Sequence, residues 1–132
     1  MSSSKSERMQ VVRDYLSNEG FNPIATDEGD LLFQCAEDCY YIILEEDDPD
    51  YYRLCYPNFW PIGNDAERAQ VLRAAVAATA QTKVAKVYAV QDAVWASIEL
   101  FLGSADQLNL VLKRSLSALQ AAVRNFHQEL SA

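Results

Sequence analysis

Glycine and cysteine are scarce in this sequence, and basic charge is in the minority. The four glycines, Gly20, Gly29, Gly63 and Gly103, stand singly, so no glycine-rich loop exists to cradle a phosphate on successive backbone amides. The three cysteines, Cys35, Cys39 and Cys55, are too few and odd in number for a disulfide scaffold. None has Cys-x-x-Cys spacing, and the single histidine, His127, lies far off. A zinc site would need all four residues to converge from unpaired positions. The expectation is three partly buried, reduced thiols, no zinc, no disulfide and no cofactor. Eleven basic residues face nineteen acidic ones, a net −8 at pH 7. Such a surface repels phosphate backbones and anionic lipid, which argues against nucleic acid and membrane as partners, and it suits basic ones. Charges interrupt every long apolar run and no apolar signal core follows Met1. No export signal or membrane span is expected, which places the protein in the cytoplasm.

What is present is enough for a core. Half of the 132 residues are hydrophobic and 11% are aromatic, so one folded domain over 7–132, after a disordered tail at 1–6, is expected. Met9, Val12 and Leu16 recur at helical spacing and Gly20 follows, which predicts a helix over 7–18. The period then changes to two. Strands are predicted over 31–36, 39–45 and 51–56, with turns at Glu37-Asp38 and at the acidic run 45–50. Pro57, Pro61, Gly63 and Asn64 mark a loop, and Asp65 is placed as the N-cap of a second helix over 66–81. Its predicted buried stripe is Leu72, Ala75, Val76 and Ala80. Strands over 83–90 and 94–102 and a long helix over 105–130 complete the order. Leu112, Leu116, Leu119, Val123, Phe126 and Leu130 make the stripe of that last helix. The fold class is α+β, in the order α-β-β-β-α-β-β-α, an antiparallel sheet packed with helices.

Strand parity assigns the faces. Leu31, Phe33 and Cys35 share one side with Tyr40, Ile42, Leu44, Tyr52, Leu54 and Tyr56, and that side is the expected core. The other side carries Leu32, Tyr41, Ile43 and Tyr51 beside Gln34, Cys39, Glu45, Arg53 and Cys55. A solvated antiparallel face is normally polar, so something is expected to cover this one. In the last hairpin, Val84, Lys86, Tyr88, Trp95, Ser97, Glu99 and Phe101 face outward. A two- or four-residue loop keeps that parity, and the longer one sets Lys86 against Glu99. The candidate protein-interface residues are therefore Leu32, Tyr41, Ile43, Tyr51, Trp95 and Phe101. Ala78 joins them, because the small side chains of the second helix would let a second copy approach closely. A homodimer is expected.

Chemistry finds little support. The run Glu45-Glu46-Asp47-Asp48-Pro49-Asp50 lacks the alternating ligands, central glycine and terminal glutamate of a calcium loop. It reads as a solvated turn. No motif joins a cysteine to His127 as nucleophile and base. Trp60, between Pro57 and Pro61, reads as a core anchor in a loop, and Trp95 as a surface contact.

The segments Tyr15-Leu16-Ser17-Asn18-Glu19-Gly20-Phe21, Tyr40-Tyr41-Ile42-Ile43-Leu44 and Val94-Trp95-Ala96-Ser97-Ile98-Glu99-Leu100, in this order of elements over about 7–130, resemble the YbjN family of bacterial sensory transduction regulators. That family belongs to the group with the type III secretion chaperone-like fold. The resemblance implies a compact, usually dimeric domain that binds protein and carries no catalytic residue. The expected function is a non-enzymatic, protein-binding regulator. The alternatives are a cytoplasmic chaperone for one exported protein and, from a different class, an enzyme or small-molecule binder.

Overall fold

A computed structural model describes residues 4–132. The first helix, α1 (Lys5–Asn18), begins inside the expected tail, because Ser4 caps it. The Ser4 side chain accepts the Glu7 amide at 3.1 Å and donates to the Glu7 carboxylate at 3.1 Å, so two polar groups of the first turn are satisfied locally. The rest of that tail, residues 1–3, lies outside the described residues. The far end of the helix closes on Gly20, whose φ of +83° puts it in the left-handed region. The Gly20 amide donates to Ser17 at 3.1 Å and the Phe21 amide to Leu16 at 2.9 Å. This reciprocal pair uses carbonyls that the helix would otherwise leave unpaired.

The order that follows is α-β-β-β-β-α-β-β-α, with one strand more than the periodicity predicts. The elements are β1 (Ile24–Ala25), β2 (Leu31–Cys35), β3 (Asp38–Leu44), β4 (Tyr51–Pro61), α2 (Asp65–Gln81), β5 (Lys86–Val90), β6 (Ala93–Phe101), a 3-10 turn at Ala105–Gln107, and α3 (Leu108–Ser131). The strands form a six-stranded antiparallel sheet in the order β1-β2-β3-β4-β6-β5. The two-residue β1 is too short to leave a periodic signal. It is visible only through its pairing, Ile24 with Leu32 and Ala25 with Leu31.

The chain divides into two compact units, Met1–Leu54 with Glu99–Lys113, and Cys55–Ile98 with Arg114–Ala132. In the first, β2 and β3 pair Leu31 with Ile42 and Phe33 with Tyr40. The turn is Ala36-Glu37, one residue before the expected Glu37-Asp38, and Ala36 takes φ +57°. Both placements give a two-residue loop, so the predicted faces hold although every partner shifts. Leu31, Phe33, Tyr40, Ile42, Leu44, Tyr52 and Leu54 are buried as parity requires. The Phe33 ring lies between Phe21 at 5.6 Å and Tyr40 at 5.7 Å, distances at which aromatic pairs attract beyond their buried area. From α1, Val12 and Leu16 enter the same core, and so does Arg8, which is 2% exposed. Its guanidinium donates to the Glu45 carbonyl at 2.9 Å. Burial of that cation is tolerable only with such partners.

In the second unit, β4 continues as a strand to Pro61 where a loop was expected. The physical reason is aromatic packing. Phe59 and Trp60 meet Phe126 of α3 at 5.3 and 5.9 Å, and Trp60 also meets His127 at 5.4 Å. Tertiary contact thus outweighs the two prolines, and Asn58, at φ +51°, absorbs the local distortion. Helix α2 is capped by Asn64, not by the expected Asp65. The Asn64 side chain accepts the Glu67 amide at 2.9 Å, and Glu67 accepts the Gly63 amide at 2.6 Å. The fifth strand starts at Lys86 instead of Lys83, because Lys83–Ala85 form a tight turn with Val84 at φ +57°. β5 and β6 are joined by the two-residue loop Gln91-Asp92, so Lys86 pairs with Ser97 and not with Glu99. β5 is an edge of the sheet. Its outward Val87 amide donates to the Thr79 hydroxyl of α2 at 2.8 Å, which blunts an otherwise open ladder edge.

These turns carry a stability prediction. A Cβ at position 20 would meet no atom within 4 Å, so Gly20→Ala should cost about 1 kcal/mol through backbone strain alone. Ala36→Gly relieves the opposite mismatch and should stabilise by about 0.5 kcal/mol. Urea unfolding with an unchanged m-value measures both, and equal signs for the two would refute this account of the turns.

Candidate functional site

The candidate site is the outward face of the strands. In the first unit the outward side of the strands forms a cross-strand row, Ile24 beside Leu32 beside Tyr41, fixed by the two registers. Paired residues in adjacent strands present their side chains on one face, so this row is a continuous apolar strip. Leu32, Tyr41, Ile43 and Tyr51 are half-buried, whereas Ile24 is 62% and Phe101 79% exposed. Phe101 does not hang loose: its ring meets Tyr51 edge-on at 6.2 Å. Ile24 escaped the sequence reading. Its only signal is a β-branched residue between Pro23 and the turn closed by Thr26 and Asp30.

Charge gathers at Tyr51. The Tyr51 hydroxyl donates to Glu99 at 2.6 Å. Burial first, then this bond and the negative charges of Glu99 and Glu45, hold the Tyr51 phenol well above its ordinary pKa of 10, against the opposing pull of Arg53. Burial also raises Tyr15, helped by Glu19, and raises Tyr52, where Arg8 opposes the rise.

In the second unit, Trp95 is half-buried, pairs with Tyr88, and donates its indole N–H to Asn58 at 3.0 Å. Lys86 sits over the Tyr88 ring at 5.5 Å. Two outward-parity positions, Cys55 and Ser97, are fully buried. Ser97 is short and lies in line with the larger Trp95 two residues before it.

Ala78 is not an interface residue. It is 0% exposed, and the buried face of α2 is Val71, Ala74, Ala75 and Ala78. The predicted stripe was rotated by about one residue. Leu72 and Ala80 are exposed, and Val76 is 71% exposed. α2 packs on β5 through its alanines, which allow the closest approach. An apolar helix surface that runs nearly all round offers periodicity no contrast to choose a face by.

Groups suited to chemistry do not converge. Cys35 is half-buried, Cys39 exposed and Cys55 buried, and among the described residues none is in a disulfide. Among the same residues no group of three or more His, Cys, Asp and Glu could hold a metal ion. His127 stacks on Trp60 and Phe59. A cleft of about 350 Å³ is lined by Gln70, Arg73, Ala74, Glu129, Leu130 and Ala132. Its one acid, Glu129, accepts from the Gln81 side chain at 2.6 Å. No family model and no curated protein matches the chain.

Two outcomes are expected. Val76→Ser should change stability by less than about 0.5 kcal/mol, whereas Ala78→Asp, which buries an unpaired charge, should cost more than about 3 kcal/mol. Thermal unfolding of both variants tests the assignment of the α2 faces, and a reversed order would overturn it. The raised tyrosines stay neutral in the native state where the unfolded chain already ionises. The unfolded state therefore binds fewer protons above about pH 10, and stability falls as pH rises past that value. Denaturation at pH 8 to 11 should show a shallower decline for Tyr51→Phe, and an unchanged slope would count against the Tyr51–Glu99 pairing.

Proposed function

We propose that this protein is a non-enzymatic, protein-binding regulatory domain of the YbjN type, with the outward strand face of its first unit as the contact surface. The observation that carries this reading is Phe101. A large aromatic side chain 79% exposed, held edge-on by Tyr51, lies in the same unit as the apolar row Ile24–Leu32–Tyr41. A rigid exposed aromatic contributes contact area at little entropic cost on binding, and contiguous apolar surface of this kind marks interaction sites. The order of helices and strands supports the YbjN comparison, with β1 as an addition.

The protein acts in the cytoplasm, where the exposed Cys39 thiol is compatible with a reducing medium. No helix among the described residues is long and apolar enough to cross a membrane. Its partners are proteins, neither nucleic acid nor membrane, in keeping with the acidic net charge. It is a homodimer, and the outward side of α2, with Leu72 and Val76 exposed beside Ala69 and Ala80, supplies the contact.

Sedimentation at about 10 μM should show a dimer for the wild type and for Phe101→Asp, and a monomer for Val76→Asp. A monomeric wild type would end the dimer proposal. Dissociation by Phe101→Asp alone would move the dimer contact to the strand face.

A further inference from the structure

The charge of this chain is not spread evenly. The first unit holds fifteen of the nineteen acidic side chains and five of the eleven basic ones, an excess of ten negative charges. The second unit holds the remaining four acidic and six basic side chains, an excess of two positive charges, which together restore the net −8. The aromatic pair of Tyr51 and Phe101 therefore belongs to the strongly acidic unit. Two carboxylates stand beside it. Glu99 accepts the Tyr51 hydroxyl, and Glu45 lies close enough to act on the same phenol. The acidic turn at 45–50 leads directly into Tyr51. Arg53, which is half-buried, is a basic side chain that acts on Tyr51 against these carboxylates.

We infer that this face docks a cationic amphipathic segment of another protein, with apolar side chains on Tyr51 and Phe101 and lysine or arginine side chains against Glu45 and Glu99. This inference rests on the reading of the face as a protein-contact surface and adds the chemistry of the partner. Charge complementarity selects that occupant. A second copy docked through the same face would bring a second unit with ten excess negative charges, its Glu45 and Glu99 included, up against the first, and like charges at close range oppose association. A cationic segment gains on both counts. Its ammonium or guanidinium groups meet carboxylates and the faces of exposed rings, where cations are attracted by the ring quadrupole. Its apolar side covers the aromatic pair. Long-range attraction to the acidic unit also speeds encounter, and salt weakens it.

The test uses two labelled synthetic helices of about 18 residues, one of leucine and lysine and one of leucine and glutamate, titrated by fluorescence anisotropy. The lysine peptide should bind at least about tenfold more tightly than its acidic counterpart at about 50 mM salt, and at least about fivefold more weakly at about 300 mM. Phe101→Ser, and separately Glu45→Gln with Glu99→Gln, should each weaken it about tenfold. Both variants are first checked for native circular dichroism, and the conservative glutamine pair keeps an acceptor for Tyr51. Amide shifts should fall on residues 43–51 and 99–101. Binding that neither variant weakens, or shifts confined to the second unit, would reduce the effect to general charge attraction and overturn the inference. Equal binding of both peptides at the face, or a dimer dissolved by Phe101→Ser with no lysine-peptide binding, would defeat the cationic partner yet leave the face as a contact surface. Failure of both peptides, with an oligomeric state indifferent to Phe101, would defeat both readings.

Discussion

The in–out alternation of β2 and β3 is the constraint on which the first unit depends. Its register, Phe33 on Tyr40 and Leu31 on Ile42, buries one full set of large side chains and turns the other set outward. A slip of one residue in that pairing would turn the side chains of one strand over relative to the other. With β3 the strand that moves, it would expose Tyr40 and Ile42 and bury Cys39 and Tyr41. The stack of Phe21, Phe33 and Tyr40 makes such a slip costly, so the turn at Ala36-Glu37 is held even though Ala36 must adopt a left-handed conformation. The outward apolar row is a consequence of the same register. It exists because core packing admits no other pairing and because the outward positions are themselves apolar.

Arg8 shows how closely the helix is tied to this arrangement. A guanidinium on the buried side of α1 reaches the backbone at the end of β3 through the Glu45 carbonyl. The charge of the same glutamate also helps to raise the Tyr51 phenol. Truncating Arg8 would leave that carbonyl without its donor and a void beside Tyr52, a combination that destabilises through both desolvation and packing.

The second unit solves a different problem. Its edge strand, β5, is blunted by the Thr79 hydroxyl, and the end of α2 is tied to α3 by Asn125 on Thr82 and Gln81 on Glu129. The aromatic group of Phe59, Trp60, Phe126 and His127 anchors the proline-flanked end of β4. With its near-neutral charge, this unit stands in contrast to the acidic first one.

The sequence by itself determined the fold class, the helices to within a few residues, and the faces of the strands, because periods of 3.6 and 2 are local properties that survive small errors in boundary. Parity survived even the misplacement of the Ala36-Glu37 turn, since moving a two-residue loop by one position changes the partners and preserves the faces. It also marked Tyr41, Tyr51 and Phe101 as outward, as the structure has them. Only the tertiary structure decided which side of α2 is buried, because a helix apolar nearly all round, with alanines on several sides, is oriented by how closely its neighbours approach, not by hydrophobic contrast. Only it revealed β1, whose two residues exist as a strand through pairing with Leu31 and Leu32, and only it carried β4 through Pro57 to Pro61 on the strength of rings contributed by α3. The α2 face and the end of β4 depend on contact between residues distant in sequence, of which a local pattern holds no record, and β1 is too short to make a pattern at all.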